Sequence, residues 1–139
     1  MTNIKYIDVN VFIYPVVNPI TDSKALASKE ILDNIINNKF SAITSFLSWD
    51  EFVFTIRKLL GKDIAVEEGK KFLVFPNLKF IKVENDIIQK AQDLISKYNL
   101  KPRDAIHSAS AIIHNAEGII TDDPDFDKLT EVKRIKLST

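Results

Sequence analysis

Four acidic residues, Asp8, Glu51, Asp104 and Asp123, stand at separate places in the chain, each at the edge of an apolar segment. Asp8 closes the run Tyr6-Ile7-Asp8, and Glu51 lies inside the apolar helical pattern between Trp49 and Phe54. Asp104 opens Asp104-Ala105-Ile106-His107-Ser108-Ala109, and Asp123 follows Gly118-Ile119-Ile120-Thr121. A fold that gathers them makes an acidic pocket at the end of a sheet. Carboxylates in one pocket repel one another unless a cation sits among them, and their oxygens suit the hard ions Mg²⁺ or Mn²⁺. The chemistry this implies is that of a metal-assisted nuclease.

Each acid also has a plainer reading. Asp8 after a strand is an ordinary turn residue or helix cap, and so is Asn10 two positions on, which could instead orient Asp8 or a metal-bound water. Glu51 would normally face solvent from a helix surface. Its neighbours Trp49, Phe52, Val53 and Phe54 are apolar, however, so the charge must reach water, a partner or a metal. Asp104 suits a first helical turn whatever its function. The apolar helix of Ala105, Ile106, Ala109, Ile112 and Ile113 would hold it rigidly. Thr121-Asp122-Asp123-Pro124-Asp125-Phe126 packs three carboxylates into four positions, where a capping loop needs one. Repulsion between them favours a cation or ligand. His107, one turn beyond Asp104, reads as a hydrogen-bonded structural residue, with a position facing the pocket as the alternative.

The elements that must position these residues follow from periodicity. Residues 3–8 read as a buried strand, and Pro15 and Pro19 mark a loop after a short segment at 10–14. Asp22 or Ser23 caps a helix over 24–38, with Ala27, Ile31, Leu32, Ile35 and Ile36 on its apolar face, and Asn37-Asn38 ends it. Residues 41–44 form a short strand. Ser45 then caps a helix over 46–60, with Trp49, Phe52, Val53, Ile56, Leu59 and Leu60 as its stripe and Gly61 as its stop. A helix over 64–74, a strand over 79–83 and a helix over 85–98 follow. Pro102 starts a helix running to about residue 115, residues 119–121 form a strand, and a loop with one helical turn leads to a last strand at 132–137. Such alternation predicts an α/β fold with a mainly parallel sheet. Ligands of these sheets bind at the carboxyl ends of the strands, where Asp8 and Asp123 fall.

Composition bounds the alternatives. With 139 residues, 45% of them apolar, the chain suits one domain over 1–139 with a real core. The absence of Cys excludes disulfides, zinc-thiolate sites and thiol nucleophiles. No run approaches the ~18 apolar residues that span a bilayer. Asp8 and Asn10 interrupt the N-terminal apolar stretch, so it does not read as a signal peptide, and a cytoplasmic location is expected. Lys and Arg total 19, as do Asp and Glu, so nucleic acid would be attracted only by a local basic rim. Arg57, Lys58, Lys62, Lys101 and Arg103 are candidates, and Arg103 stands first because it adjoins Asp104. Trp49, Phe52 and Phe54 fit either base stacking, partner contact or core packing.

In this order the motifs resemble the PIN-domain family, which includes the toxin ribonucleases of VapBC toxin–antitoxin pairs. The resemblance runs nearly end to end, through Tyr6-Ile7-Asp8-Val9-Asn10, Thr44-Ser45 with Glu51, Pro102-Arg103-Asp104-Ala105-Ile106-His107-Ser108-Ala109, and Ile120-Thr121-Asp122-Asp123-Pro124-Asp125-Phe126. It implies a three-layer α/β/α fold and metal-dependent endoribonuclease activity with Mg²⁺ or Mn²⁺. The expected substrate is RNA, with a cognate antitoxin and a second copy of the chain as partners. It assigns catalytic roles to Asp8, Glu51, Asp104 and Asp123. Asp8 and Asp104 are the principal metal ligands, Glu51 and Asp123 complete the pocket directly or through water, and Asn10 and Thr121 are supporting polar groups. Val9 stands where many relatives carry Thr or Ser, and Ser108 replaces a common Leu. The family spacing of Thr, any residue, Asp, any residue, Asp, Phe favours Asp123 over Asp122 as the fourth acid. The alternative within the family is a non-catalytic RNA- or protein-binding module. A dehalogenase-type phosphatase fits less well, because its second acid would fall at Asn10.

Overall fold

Tyr6 and Ile7 are both fully buried although their side chains leave opposite faces of one strand, which is possible only in a sheet covered on both sides. The computed structural model describes residues 3–137. That strand, β1 (Ile4–Ile7), lies at the centre. Around it are β2 (Ser41–Ser45), β3 (Leu78–Ile81), β4 (Gly118–Ile120) and β5 (Lys133–Ile135), in the order β3-β2-β1-β4-β5 and parallel throughout.

Among the described residues six α-helices make the crossovers: α1 (Asn10–Val17), α2 (Ser23–Ile36), α3 (Phe46–Leu60), α4 (Lys62–Leu73), α5 (Asn85–Tyr98) and α6 (Pro102–Ile113). Two cores result, one on each face. Tyr6, Ile43 and Ile119 pack with Ile87, Ala91 and Leu94 of α5 and Ala105 and Ala109 of α6. Ile7, Ala42 and Ile120 pack with Phe12 of α1, Ile35 of α2, Phe52 and Ile56 of α3 and Phe72 of α4. The fold is therefore the three-layer α/β/α arrangement, and β1 and β4, paired from Lys5–Gly118 to Ile7–Ile120, bring the carboxyl ends that carry Asp8 and Thr121 side by side.

Local chemistry explains most boundaries. Asp22, and not Ser23, caps α2, accepting the Ala25 N–H at 3.0 Å. Gly61 ends α3 at φ 93°, a conformation open to glycine, and α4 begins at once. Pro102 opens α6, where its missing N–H is harmless.

Three expectations change. The segment at 10–14 is the start of a full helix, α1, with Pro15 inside it. Proline there removes a donor and crowds the preceding turn. The burial of Val11, Phe12 and Ile13 outweighs that cost. Ser45 sits at the N-cap of α3 without capping it. Its N–H donates to the Tyr6 hydroxyl at 3.1 Å and its own hydroxyl is buried without a partner. Finally, the stripe on α3 is narrower than periodicity suggested. Phe52 and Ile56 are buried with Ser48, whereas Trp49, Leu59 and Leu60 are exposed.

Candidate active site

β1 stops at Ile7, but pairing continues for one more bond, from the Asp8 N–H to the Ile120 carbonyl at 3.0 Å. This fixes the Asp8 backbone against the end of β4. The residue after β4 is Thr121, almost fully buried, and its hydroxyl donates to Asp8 Oδ2 at 2.6 Å. The Thr121 hydroxyl oxygen in turn accepts the Asp123 N–H at 3.0 Å. One hydroxyl thus ties the carboxylate at the end of β1 to the acidic loop after β4. Burial pushes the Asp8 carboxyl above the usual range, and Glu51 and Asp122 add to this, while Thr121 and His107 oppose it. Asn10 opens α1 two residues on and is half-buried.

The loop after Thr121 turns into a short 3₁₀ helix, Pro124–Lys128, capped by Asp123, whose Oδ1 accepts the Asp125 N–H at 2.9 Å. Across from it, Asp104 lies in the first turn of α6. One carboxylate oxygen from each of Asp104, Asp123 and Asp125 lies within 4.8 Å of the others, and all three residues are half-buried. Burial pushes the Asp104 carboxyl up, and so do Asp123 and Asp125, with His107 and Lys101 opposing. Oxygens ligating one Mg²⁺ at ~2.1 Å sit roughly 3–4 Å apart, so this all-oxygen set fits a hard divalent cation. Among the described residues no other set of three acids or histidines comes so close, and Asp8 stands outside it.

Asp125 is the residue that sequence reasoning left without a role. It lies two positions past Asp123, and the signal was the excess of carboxylates over what a cap requires. Asp122 is occupied otherwise. Its Oδ2 accepts the Tyr14 hydroxyl at 2.7 Å and pairs with Lys24 at 3.1 Å. Burial and that bond push the Tyr14 hydroxyl upward. Arg103 is exposed on α6 beside Asp104, and Arg57, Lys58, Lys62 and Lys101 are exposed as well.

Glu51 finds its partner in His107. The His107 Nε2 lies 2.5 Å from Glu51 Oε1, and its Nδ1 is 2.6 Å from the Tyr6 hydroxyl. The ring is only 3% exposed. Burial opposes its charge, but Tyr6 and Glu51 outweigh that and push the imidazole up to about 10. His107 is thus hydrogen-bonded, and its charge opposes the upward push on the carboxyls of both Asp8 and Asp104.

A parallel α/β sheet with acids gathered over its carboxyl end defines a class of protein built to bind a ligand at that end. Residues 5–132 match the family described as PIN domain, and the chain belongs to that family. No curated protein matches it. Solved structures share its fold. A chain of a toxin–antitoxin complex from Klebsiella pneumoniae is 21% identical, with TM-score 0.67 over 92% of this chain and 94% of that one. A chain of VapBC2 from Rickettsia felis, bound to a DNA fragment from its promoter, is 15% identical, with TM-score 0.74 over 96% and 98%. Mycobacterium tuberculosis VapC20, described as a sarcin–ricin loop cleaving toxin, is 14% identical, with TM-score 0.71 over 88% and 92%.

Proposed function

We propose that this chain is a divalent-metal-dependent endoribonuclease, the toxin of a type II toxin–antitoxin pair, formed as one PIN domain over residues 1–139. The observation that carries the reading is the convergence of Asp104, Asp123 and Asp125 beside Asp8 at the carboxyl ends of adjacent strands. The toxin–antitoxin part rests on the shared fold of complexes that carry that description.

Asp8, Asp104 and Asp123, with Asp125, would hold Mg²⁺ or Mn²⁺. Such a cation, when bound, activates water and offsets the charge of a phosphodiester. The chain's residues do the rest. Thr121 holds Asp8 in one orientation, and the Asp123 cap fixes the spacing of the loop acids. Glu51 uses one oxygen on His107 and, among the described residues, keeps the other free of side-chain partners, available to orient water or accept its proton. Asn10, half-buried at the start of α1 two residues after Asp8, would be a further polar group for the pocket. Arg103, exposed next to Asp104, would contact an RNA phosphate. A cognate antitoxin, a second copy of the chain and a cytoplasmic RNA substrate complete the reading.

The test is incubation of the purified chain with structured and single-stranded RNAs in Mg²⁺, Mn²⁺ or EDTA. Cuts that need metal are expected. RNA bound but uncut in every condition would replace the nuclease with a non-catalytic binding module.

A further inference from the structure

A file of buried polar groups runs through the molecule and ends on one carboxylate. It starts at the last residue of β2, where the Ser45 N–H donates to the Tyr6 hydroxyl at 3.1 Å. Tyr6, fully buried in β1, lies two residues before Asp8. Its hydroxyl meets His107 Nδ1 at 2.6 Å, and His107 lies three residues after Asp104. His107 Nε2–H donates to Glu51 Oε1 at 2.5 Å. Among the described residues Glu51 has no other side-chain partner.

Simple packing does not require this arrangement. Tyr6 and His107 are both buried, and aliphatic side chains at these positions would avoid the desolvation cost of an imidazole and a phenol. What the file achieves is an orientation. A Glu side chain on a helix is ordinarily mobile, with three side-chain torsions free to rotate. Here one oxygen is fixed on a ring that is itself fixed at its far nitrogen. In either protonation state of the ring, Nε2 carries the proton that Glu51 accepts. Tyr6 accepts from the Ser45 backbone, so its hydroxyl is also held in place.

We infer that His107 and Tyr6 are positioning residues for Glu51, fixing one of its carboxylate oxygens so that the other serves the water or cation of the acidic pocket. The inference rests on the nuclease reading of that pocket. It makes the imidazole a support that works through Glu51, touching neither RNA nor metal. Outer partners of this kind typically affect metal-site activity about 10–100-fold.

The test uses the full chain labelled with ¹⁵N-histidine. It contains two histidines, so comparison with a His107 variant assigns the resonances. The His107 Nε2–H signal is expected to move on titration with diamagnetic Mg²⁺, and Glu51→Gln is expected to abolish that response. His107→Leu, shown to be folded by its thermal transition, is expected to lower kcat about 10–100-fold while KM stays within about two-fold. His107→Gln, which keeps an N–H donor, should recover most of the loss. If His107→Leu does not fold, Tyr6→Phe takes its place, with an expected loss of about 3–10-fold for one hydrogen bond. A His107 signal unmoved by saturating Mg²⁺, or a folded His107→Leu with wild-type kcat, would overturn the assignment. A Mg²⁺ response in a protein that cuts no RNA would sink the nuclease reading and leave the positioning role standing. RNA cleavage with no Mg²⁺ response at His107 would do the reverse. A chain that binds no Mg²⁺ contradicts both.

Discussion

Thr121 holds Asp8 and Asp123 through a single oxygen, donating to Asp8 Oδ2 at 2.6 Å and accepting the Asp123 N–H at 3.0 Å. The bond favours the ionised form of Asp8, against the burial that raises its carboxyl. Thr121→Val keeps the shape and removes both bonds. We expect metal affinity or activity to fall about 10–100-fold, as for other outer partners of metal ligands. The pH at which Mn²⁺ binding is half-lost should also rise, because Asp8 loses its stabilising donor. Thr121→Ser should remain close to wild type. Mn²⁺ titrations at several pH values check this, and an unshifted Thr121→Val profile would count against the linkage.

Asp8 and Asp104 both have carboxyls raised by burial above the ordinary value of 3.8. For a raised acid, the folded state binds the proton more tightly than the unfolded chain does. Its stabilising contribution is full below pH 3.8 and is lost as pH rises through the raised value. At neutral pH the metal-free pocket is therefore a source of strain. Asp104→Asn should raise the Tm of the protein in EDTA. Mg²⁺ should raise the wild-type Tm, by about 2.7 kcal/mol of stability at a hundredfold excess over Kd, and should do little for the variant. Thermal melts at pH 7 with and without Mg²⁺ decide it. A lower Tm for Asp104→Asn in EDTA would contradict the repulsion argument.

The opposite kind of group gives a second pH window. His107 is pushed from 6.5 up to about 10 in the fold, so the stability it contributes is complete below pH 6.5 and declines as pH rises toward about 10. Urea unfolding in EDTA between these limits should show a decline that His107→Leu flattens. Equal slopes for the two proteins would show that the imidazole carries no such coupling.

Asp122 and Asp123 separate by their partners. Asp122 is committed to Tyr14 and Lys24, whereas Asp123 shares the group with Asp104 and Asp125. Asp122→Asn should therefore cost less than about tenfold in activity, mostly through the loss of one or two hydrogen bonds. The Lys24 pair adds little, because that lysine is largely exposed. Asp123→Asn should lose most activity. Parallel cleavage rates for the two folded variants test the assignment, and a larger loss at Asp122 would reverse it.

The position of Asp8 was legible because Tyr6-Ile7 in β1 and Gly118-Ile119-Ile120 in β4 are apolar runs that each end at a polar residue, and parallel α/β folds place such ends together. Asp104 was legible because Pro102 fixes where α6 begins. Other features depend on tertiary packing that periodicity does not encode. Glu51 and His107 are 56 residues apart, and nothing local in either helix specifies the pairing. Asp125 joins Asp104 only because Pro124 opens a 3₁₀ turn after Asp123. Trp49 and Leu59 share the apolar spacing of Phe52 and Ile56, yet the sheet covers only part of that stripe. Pro15 shows the same override, since burial of α1 holds a helix that propensity alone would break.

The most direct measurement pairs Mn²⁺ titration calorimetry with RNA cleavage on the same samples of wild type and folded Asp104→Asn. Wild type is expected to bind Mn²⁺ and cut RNA, and both properties are expected to be lost together in the variant. Asp104→Asn that retained full metal-dependent cleavage would contradict this.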